Sequence, residues 1–330
     1  MNTTTRVLIA AVGAVLLAVA AGVYVLNARE GRAAVDLALD PAPVVLTDPG
    51  RILFRNTAPG PHEGVVASVA RSDPRGPRRV STLRCERFST AAGTGLCVRP
   101  TAGVTPQAEV VLVDASLSEI KSFRVAGTVS RARLSPDGRI AAWTTFVTGD
   151  AYNSASFSTR TGVYDREQDK LLTNLESLRL TLGGQIHLAE DVNYWGVTFT
   201  PDNRTFYATV STGGRTHLVR TDYAAWEAEA VRENVECPSL SPDGRRLAFK
   251  KRIDSDETRP WRIHILDLAT MTETPVAEPA GIDDQVGWLD ENTLVYGLAD
   301  GNLHTARADG VGAAGVLVEW ASSPTGTPAG

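Results

Sequence analysis

One short phrase recurs four times in this chain of 330 residues, and its spacing leaves few folds open. It reads Leu134-Ser135-Pro136-Asp137-Gly138-Arg139, Phe199-Thr200-Pro201-Asp202-Asn203-Arg204, Leu240-Ser241-Pro242-Asp243-Gly244-Arg245 and, in degraded form, Trp288-Leu289-Asp290-Glu291-Asn292. Pro presets the backbone of a turn, Asp bonds nearby backbone, and Gly relieves the exit. A strand such as 131–134 or 196–199 precedes the turn, and an apolar strand such as 140–143 or 247–249 follows it. Third strands read at 161–165, 216–222 and 261–268, each ending near an Asp, and 272–276 fits a fourth. A strand–turn–strand unit returning every ~40–65 residues is the mark of a β-propeller, with one blade per repeat.

Six blades are expected, near 50–80, 81–128, 129–180, 190–235, 236–280 and 283–320. The first two lack the Pro-Asp-Gly turn and rest on the apolar runs 52–55, 65–69 and 110–114. The loops 147–160 and 181–194 are the longest insertions and flank the fourth blade; on a repeat scaffold, insertions often carry binding.

Ahead of the repeats, residues 7–26 are uncharged and mostly apolar. About 20 helical residues span a bilayer core, so one N-terminal transmembrane helix is expected within 1–26. Ala18-Val19-Ala20 fits a signal-peptidase site, but the run is longer than an h-region of about 7–15 residues, which favours an uncleaved anchor. Either reading places the propeller, 49–320, outside the cytoplasm, and the favoured one holds it on a single-pass anchor at the cell membrane. Residues 27–48 then read as a linker and 321–330 as a flexible tail.

The cysteines agree with export. Cys85 and Cys97 are equidistant from residue 91 in an expected hairpin, which places them opposite each other at bridgeable separation. A disulfide suits an oxidising compartment. Cys237 reads as a small buried residue at a strand start. The net charge of −5, with 33 Lys and Arg scattered along the chain, argues against nucleic acid. A monomer is expected.

The stretches 195–202, 236–244 and 283–290 resemble those of TolB-like propellers, whose blades carry a Ser-Pro-Asp-Gly turn followed by an apolar strand. They are similar to actinobacterial membrane-anchored proteins of that kind, and the resemblance covers roughly residues 50–320. It implies the six-bladed fold and a periplasm-type interaction platform for envelope partners. Residues 27–48 are too short for the N-terminal α/β domain that the family also implies.

Stacking the four phrases aligns Ser130, Trp195, Glu236 and Asp283, each five residues ahead of Ser135, Thr200, Ser241 and Trp288. Such positions begin the innermost strands and ring one mouth of the central channel. With Asp191, Asn193 and Asp284 they make that mouth acidic. A converging cluster of this kind suits a cationic group, a metal ion or a basic peptide end, with Trp195 offering a cation–π face. The competing reading is that these side chains solvate the channel or cap neighbouring blades.

The expected function is therefore a protein-binding scaffold of the cell envelope, with a protein or basic peptide as partner. The alternative is a glycan- or small-molecule-processing hydrolase or lyase at the same mouth. His62, His187, His217, His264 and His304 lack metal-ligand spacing, and no G-x-S-x-G elbow appears, so no catalytic residue, metal or cofactor is assigned. The carboxylates of 254–257 could attract Ca²⁺, but without a loop glycine they read as a solvated loop.

Overall fold

The computed structural model describes residues 5, 11–22, 34–147, 158–253 and 260–326. They fall into two units: residues up to Asp36 with Ala58–Glu63, and Leu37–Thr57 with everything from Gly64 onward. In the first unit residues 11–22 are helical, and the Val35 amide donates to the Pro59 carbonyl (2.9 Å). Among the described residues no helix is long and apolar enough to cross a membrane. Residues 7–10 and 23–26 of the expected anchor lie outside the described residues, as do 148–157 of one expected insertion and 254–259.

The second unit is all β, with six sheets forming six blades. The innermost strands are Ala321–Gly326, Arg87–Ala91, Thr128–Leu134, Asn193–Phe199, Glu236–Leu240 and Gly287–Trp288, in blades one to six. The strands next to them read as continuous buried runs, such as Ile140–Val147 and Arg51–Asn56, because neighbouring blades cover both faces. Side-chain alternation then allots each residue to one neighbour: Ile140 and Ala142 pack toward blade four, Ala141 and Trp143 toward blade two. Apolar clusters of this kind fill all six blade-to-blade contacts.

The repeated phrase earns its recurrence at the turn. Ser135 Oγ donates to Asp137 (2.6 Å) and accepts from the Ile140 amide (2.8 Å), while Asp137 also accepts from the Arg139 amide (3.0 Å). Thr200 with Asp202 and Ser241 with Asp243 repeat the pattern. The residue after each Asp is left-handed (Gly138 +72°, Asn203 +55°, Gly244 +72°), which explains Gly or Asn there. Serine-type hydroxyl, proline, aspartate and glycine are thus one hydrogen-bonded unit.

Several boundaries differ from expectation. Ala321–Gly326, expected within a flexible tail, is the innermost strand of blade one and pairs antiparallel with Arg51–Asn56 (Ile52 with Gly326, Asn56 with Ala321). Its Ser- and Pro-containing sequence has little strand character; the partner strand supplies the order. Part of the expected linker also packs into the propeller unit: Val44 and Leu46 are buried, and Asp40 and Asp48 both pair with Arg79 (2.7 and 2.6 Å). The segment from 179 extends blade four to six strands, with Arg179–Leu182 parallel to Glu227–Glu233 and Gln185–Ile186 beyond it, so much of 181–194 is sheet edge rather than free loop.

The Cys85–Cys97 disulfide is present, with Cα atoms 5.4 Å apart. Its place corrects the expected hairpin register. Cys97 pairs with Phe88, and Cys85 precedes the strand Arg87–Ala91, so the bridge ties the entry segment to the second strand of blade two.

Candidate functional site

The two ends of the central channel differ in chemistry. At the end where the innermost strands begin, Glu236, Asp283 and Ser130 gather as the repeats predict, but the mouth is not acidic in excess. Lys250, 3% exposed, donates to Asp283 (2.7 Å) and lies 3.8 Å from Glu236. Arg131 reaches from blade three to the Asp283 carbonyl (3.1 Å), with its guanidinium 3.6 Å from the carboxylate. Ser130 contributes its carbonyl, which accepts from Arg87 (2.7 Å) and Arg131 (3.0 Å). Glu236 also accepts from the Trp261 indole N–H (2.8 Å).

Burial works against the Lys250 ammonium, yet the Cys237 sulfur, Asp283 and Glu236 together hold its pKa above the usual lysine range. Partial desolvation opposes the Asp283 carboxylate, whose side chain is largely exposed, and Lys250 and Arg131 outweigh it, so this carboxyl titrates below the usual range. A carboxylate pair held this way braces blades five and six.

The remaining expected residues divide. Trp195 stands at the same end, paired with Thr209, whose hydroxyl accepts from the Cys237 amide (2.8 Å). Among the described residues no cation lies over its ring; Lys250 and Arg252 sit over Trp261 instead, at 4.4 and 4.9 Å. Asp191 and Asn193 form a separate group: Asp191 accepts from Thr212 and the Gly213 amide (2.8 and 2.7 Å), and Asn193 from Ser158 and the Thr159 amide (3.2 and 2.9 Å). These bonds close loops of blades three and four.

The blade-six register also shifts by one. Leu289, not Trp288, occupies the serine position, its amide donating to the Thr293 carbonyl (2.9 Å) as Ser135 does to Ile140. Asp284 is therefore the residue equivalent to Glu236, half-buried beside Arg131 and Arg133. Cys237 is buried and free, with a left-handed φ of 48°.

Polar cross-braces close the middle of the channel. Gln285 donates to the Val197 and Pro238 carbonyls (3.1 and 2.8 Å), and Arg133 donates to the Val286 carbonyl (3.1 Å). A void of about 30 Å³ lies among Arg87, Arg131, Arg133 and Asp284.

Beyond these braces the turn end opens into a funnel of about 570 Å³. Its walls include Leu134, Phe199, Leu240 and Trp288, the large apolar residue ahead of each turn. Pro136, Pro201 and Pro242 form the rim, and Leu46 with Ala91–Gly93 completes it on the side of blade two. Sequence reasoning missed this site although the signal lay in the same repeated phrase: the position before Ser/Thr-Pro is large and apolar in every copy. Among the described residues no cluster of three or more His, Cys, Asp or Glu side chains is placed to hold a metal.

A closed propeller with a preformed apolar funnel on its axis is a scaffold suited to binding. Its fold is TolB-like: the chain is similar to TolB from Acinetobacter baumannii, with a TM-score of 0.57 and 18% identity over 84% of this chain and 66% of that one. This chain thus spans just under two thirds of that TolB chain. It is also similar to a chain of a nidogen/laminin complex (TM-score 0.51, 10% identity, 83% of this chain and 97% of that one) and to the tricorn protease (0.50, 10%, 81% and 30%). At these identities the likeness is one of fold. No protein-family model matches the sequence, and no curated protein matches it either.

Proposed function

We propose that this protein is a non-catalytic binding scaffold of the cell envelope that engages a protein partner through the funnel at the turn end of its channel. The observation that carries this reading is the funnel itself: about 570 Å³, preformed, apolar-walled and rimmed by rigid proline turns. Concave apolar surface left open to solvent is a binding feature by default, because a fold gains nothing by leaving it uncovered. At the carboxylate mouth, first expected to bind, Lys250 and Arg131 lie beside Asp283, which supports a bracing role there and leaves the funnel as the better partner site.

The extracytoplasmic, membrane-held location remains part of the proposal. The apolar run 7–26 supports it from sequence, and the Cys85–Cys97 bridge supports an oxidising compartment. The test is affinity capture of the full chain from its own membranes, comparing Ala91→Trp, which fills the funnel, with Glu236→Gln at the opposite mouth. Loss of the captured partner in the first variant alone is expected. Loss in the second alone would return the site to the carboxylate mouth.

A further inference from the structure

The funnel's floor is chemically unlike its walls. One residue below Leu134, Phe199 and Leu240, the innermost strands present Arg133, Thr198 and Ser239, and blade two adds Ser89. Ser89 Oγ accepts from the Leu134 amide (3.2 Å), and Thr198 Oγ1 accepts from the Leu240 amide (3.0 Å). Each oxygen is therefore met by a donor, while each hydroxyl proton has no acceptor among the described residues. Ser239 Oγ lies 3.5 Å from Arg133 Nη2 and is likewise on the accepting side.

Arg133 completes the pattern. Its Nη2 donates to the Val286 carbonyl, its Nε is buried without a partner, and among the described residues no carboxylate comes within ion-pair distance. Burial pushes its pKa down to about 10, and Asp284 and Cys237 offset this only in part. Arg131, two residues earlier on the same strand, also has a buried Nε without a partner, but its guanidinium lies 3.6 Å from the Asp283 carboxylate, and Arg133 has no equivalent of that carboxylate among the described residues. A buried cation is costly without an anion, and hydroxyl protons seek an acceptor. The missing species is thus an anion with two accepting oxygens, at the foot of an apolar passage.

We infer that the funnel receives the C-terminus of a partner polypeptide, its terminal carboxylate meeting Arg133 and the floor hydroxyls and its last apolar side chains meeting the walls. The inference rests on the reading of the funnel as the partner site. Charge complementarity selects the carboxylate, since guanidinium and hydroxyl donors converge there. The walls favour a peptide over a hydrocarbon chain: the exposed Thr47 stands among them, a polar group that suits a peptide backbone and is of no use to a fatty acid, whereas Thr90 and Ser241 are bonded within the protein.

The test uses the full chain in detergent micelles with two libraries of fluorescein-labelled hexapeptides. The libraries are randomised at the last four positions and differ only in a free carboxylate or a carboxamide at the C-terminus. Free-acid peptides ending in apolar residues are expected to bind at least tenfold tighter than their amides. Arg133→Gln should abolish that difference and Arg133→Lys retain most of it, with thermal unfolding reporting the fold. Should Arg133→Gln fail to fold, Ser239→Ala is expected to shrink the acid-to-amide ratio about threefold.

Equal binding of acids and amides, lost in both by Ala91→Trp, would overturn the carboxylate inference and leave the funnel reading standing. Binding unaffected by Ala91→Trp would remove both. Decanoate displacing every selected peptide would replace the chain terminus by a small carboxylic acid, and the absence of binding by either library would end the inference.

Discussion

The two ends of the channel are built by the same six inner strands, yet one is saturated and the other open. Where the strands begin, the buried Lys250 meets Asp283 and stands near Glu236, and Arg131 crosses the axis to blade six. Where they end, Leu134, Phe199, Leu240 and Trp288 line empty volume. Charge near a propeller axis is therefore not by itself a sign of a ligand. A desolvated ion is stable only with a partner, so a charged cluster often supplies its own counter-ions and becomes a brace. Apolar concavity has no such internal remedy, and what it lacks must come from outside.

The contrast breaks most readily at Lys250. Replacing it by Met leaves Glu236 buried without a cation and is expected to destabilise the propeller by about 3 kcal/mol, as measured by urea unfolding. A loss under about 1 kcal/mol would mean that the cluster does not brace the blades.

Acid sharpens the same point more gently. Asp283, Glu273 and Asp165 all titrate below the usual carboxylate range in the fold: desolvation opposes this in each, and Lys250, Lys251 with Arg232, and Arg139 outweigh it. Groups depressed in this way stabilise fully above their unfolded values near pH 4, and that stability is lost as pH falls through the lower folded values. Unfolding midpoints should therefore hold from pH 7 to about 5 and decline below about 4, whereas a decline beginning near pH 6 would point to histidines instead.

At the open end, Ala91→Trp should cut partner capture about tenfold or more, roughly 1.4 kcal/mol, with little change in the unfolding midpoint. Smallest of all, Asp191→Asn and Trp195→Ala should leave capture within about a factor of two, close to experimental scatter. A larger loss from Trp195→Ala would restore the strand-start mouth as a binding surface.

How much could be read in advance follows from distance along the chain. The turn unit from Ser135 to Ile140 was legible because its bonds join residues at most five apart. The strand Ala321–Gly326 was not, since its order comes from Arg51–Asn56 at the far end of the propeller. Lys250 was not legible either, since nothing within Lys250-Lys251-Arg252 marks which cation is buried; strand alternation sends it inward while Lys251 pairs with Glu273 on the other face. The degraded fourth phrase misled by one residue, because without a serine hydroxyl nothing local marks which residue closes the turn.

The amino-acid sequence by itself determined the repeated turn, the blades it implies and the gathering of strand-start residues at one channel mouth, all consequences of short-range hydrogen bonding and strand period. Tertiary structure alone decided which charges neutralise one another, where the C-terminal strand docks, and which end of the channel stays open. Coulomb pairing and cavity shape depend on residues brought together across blades, and no local pattern encodes the distance between Lys250 and Asp283 or between Leu134 and Leu240.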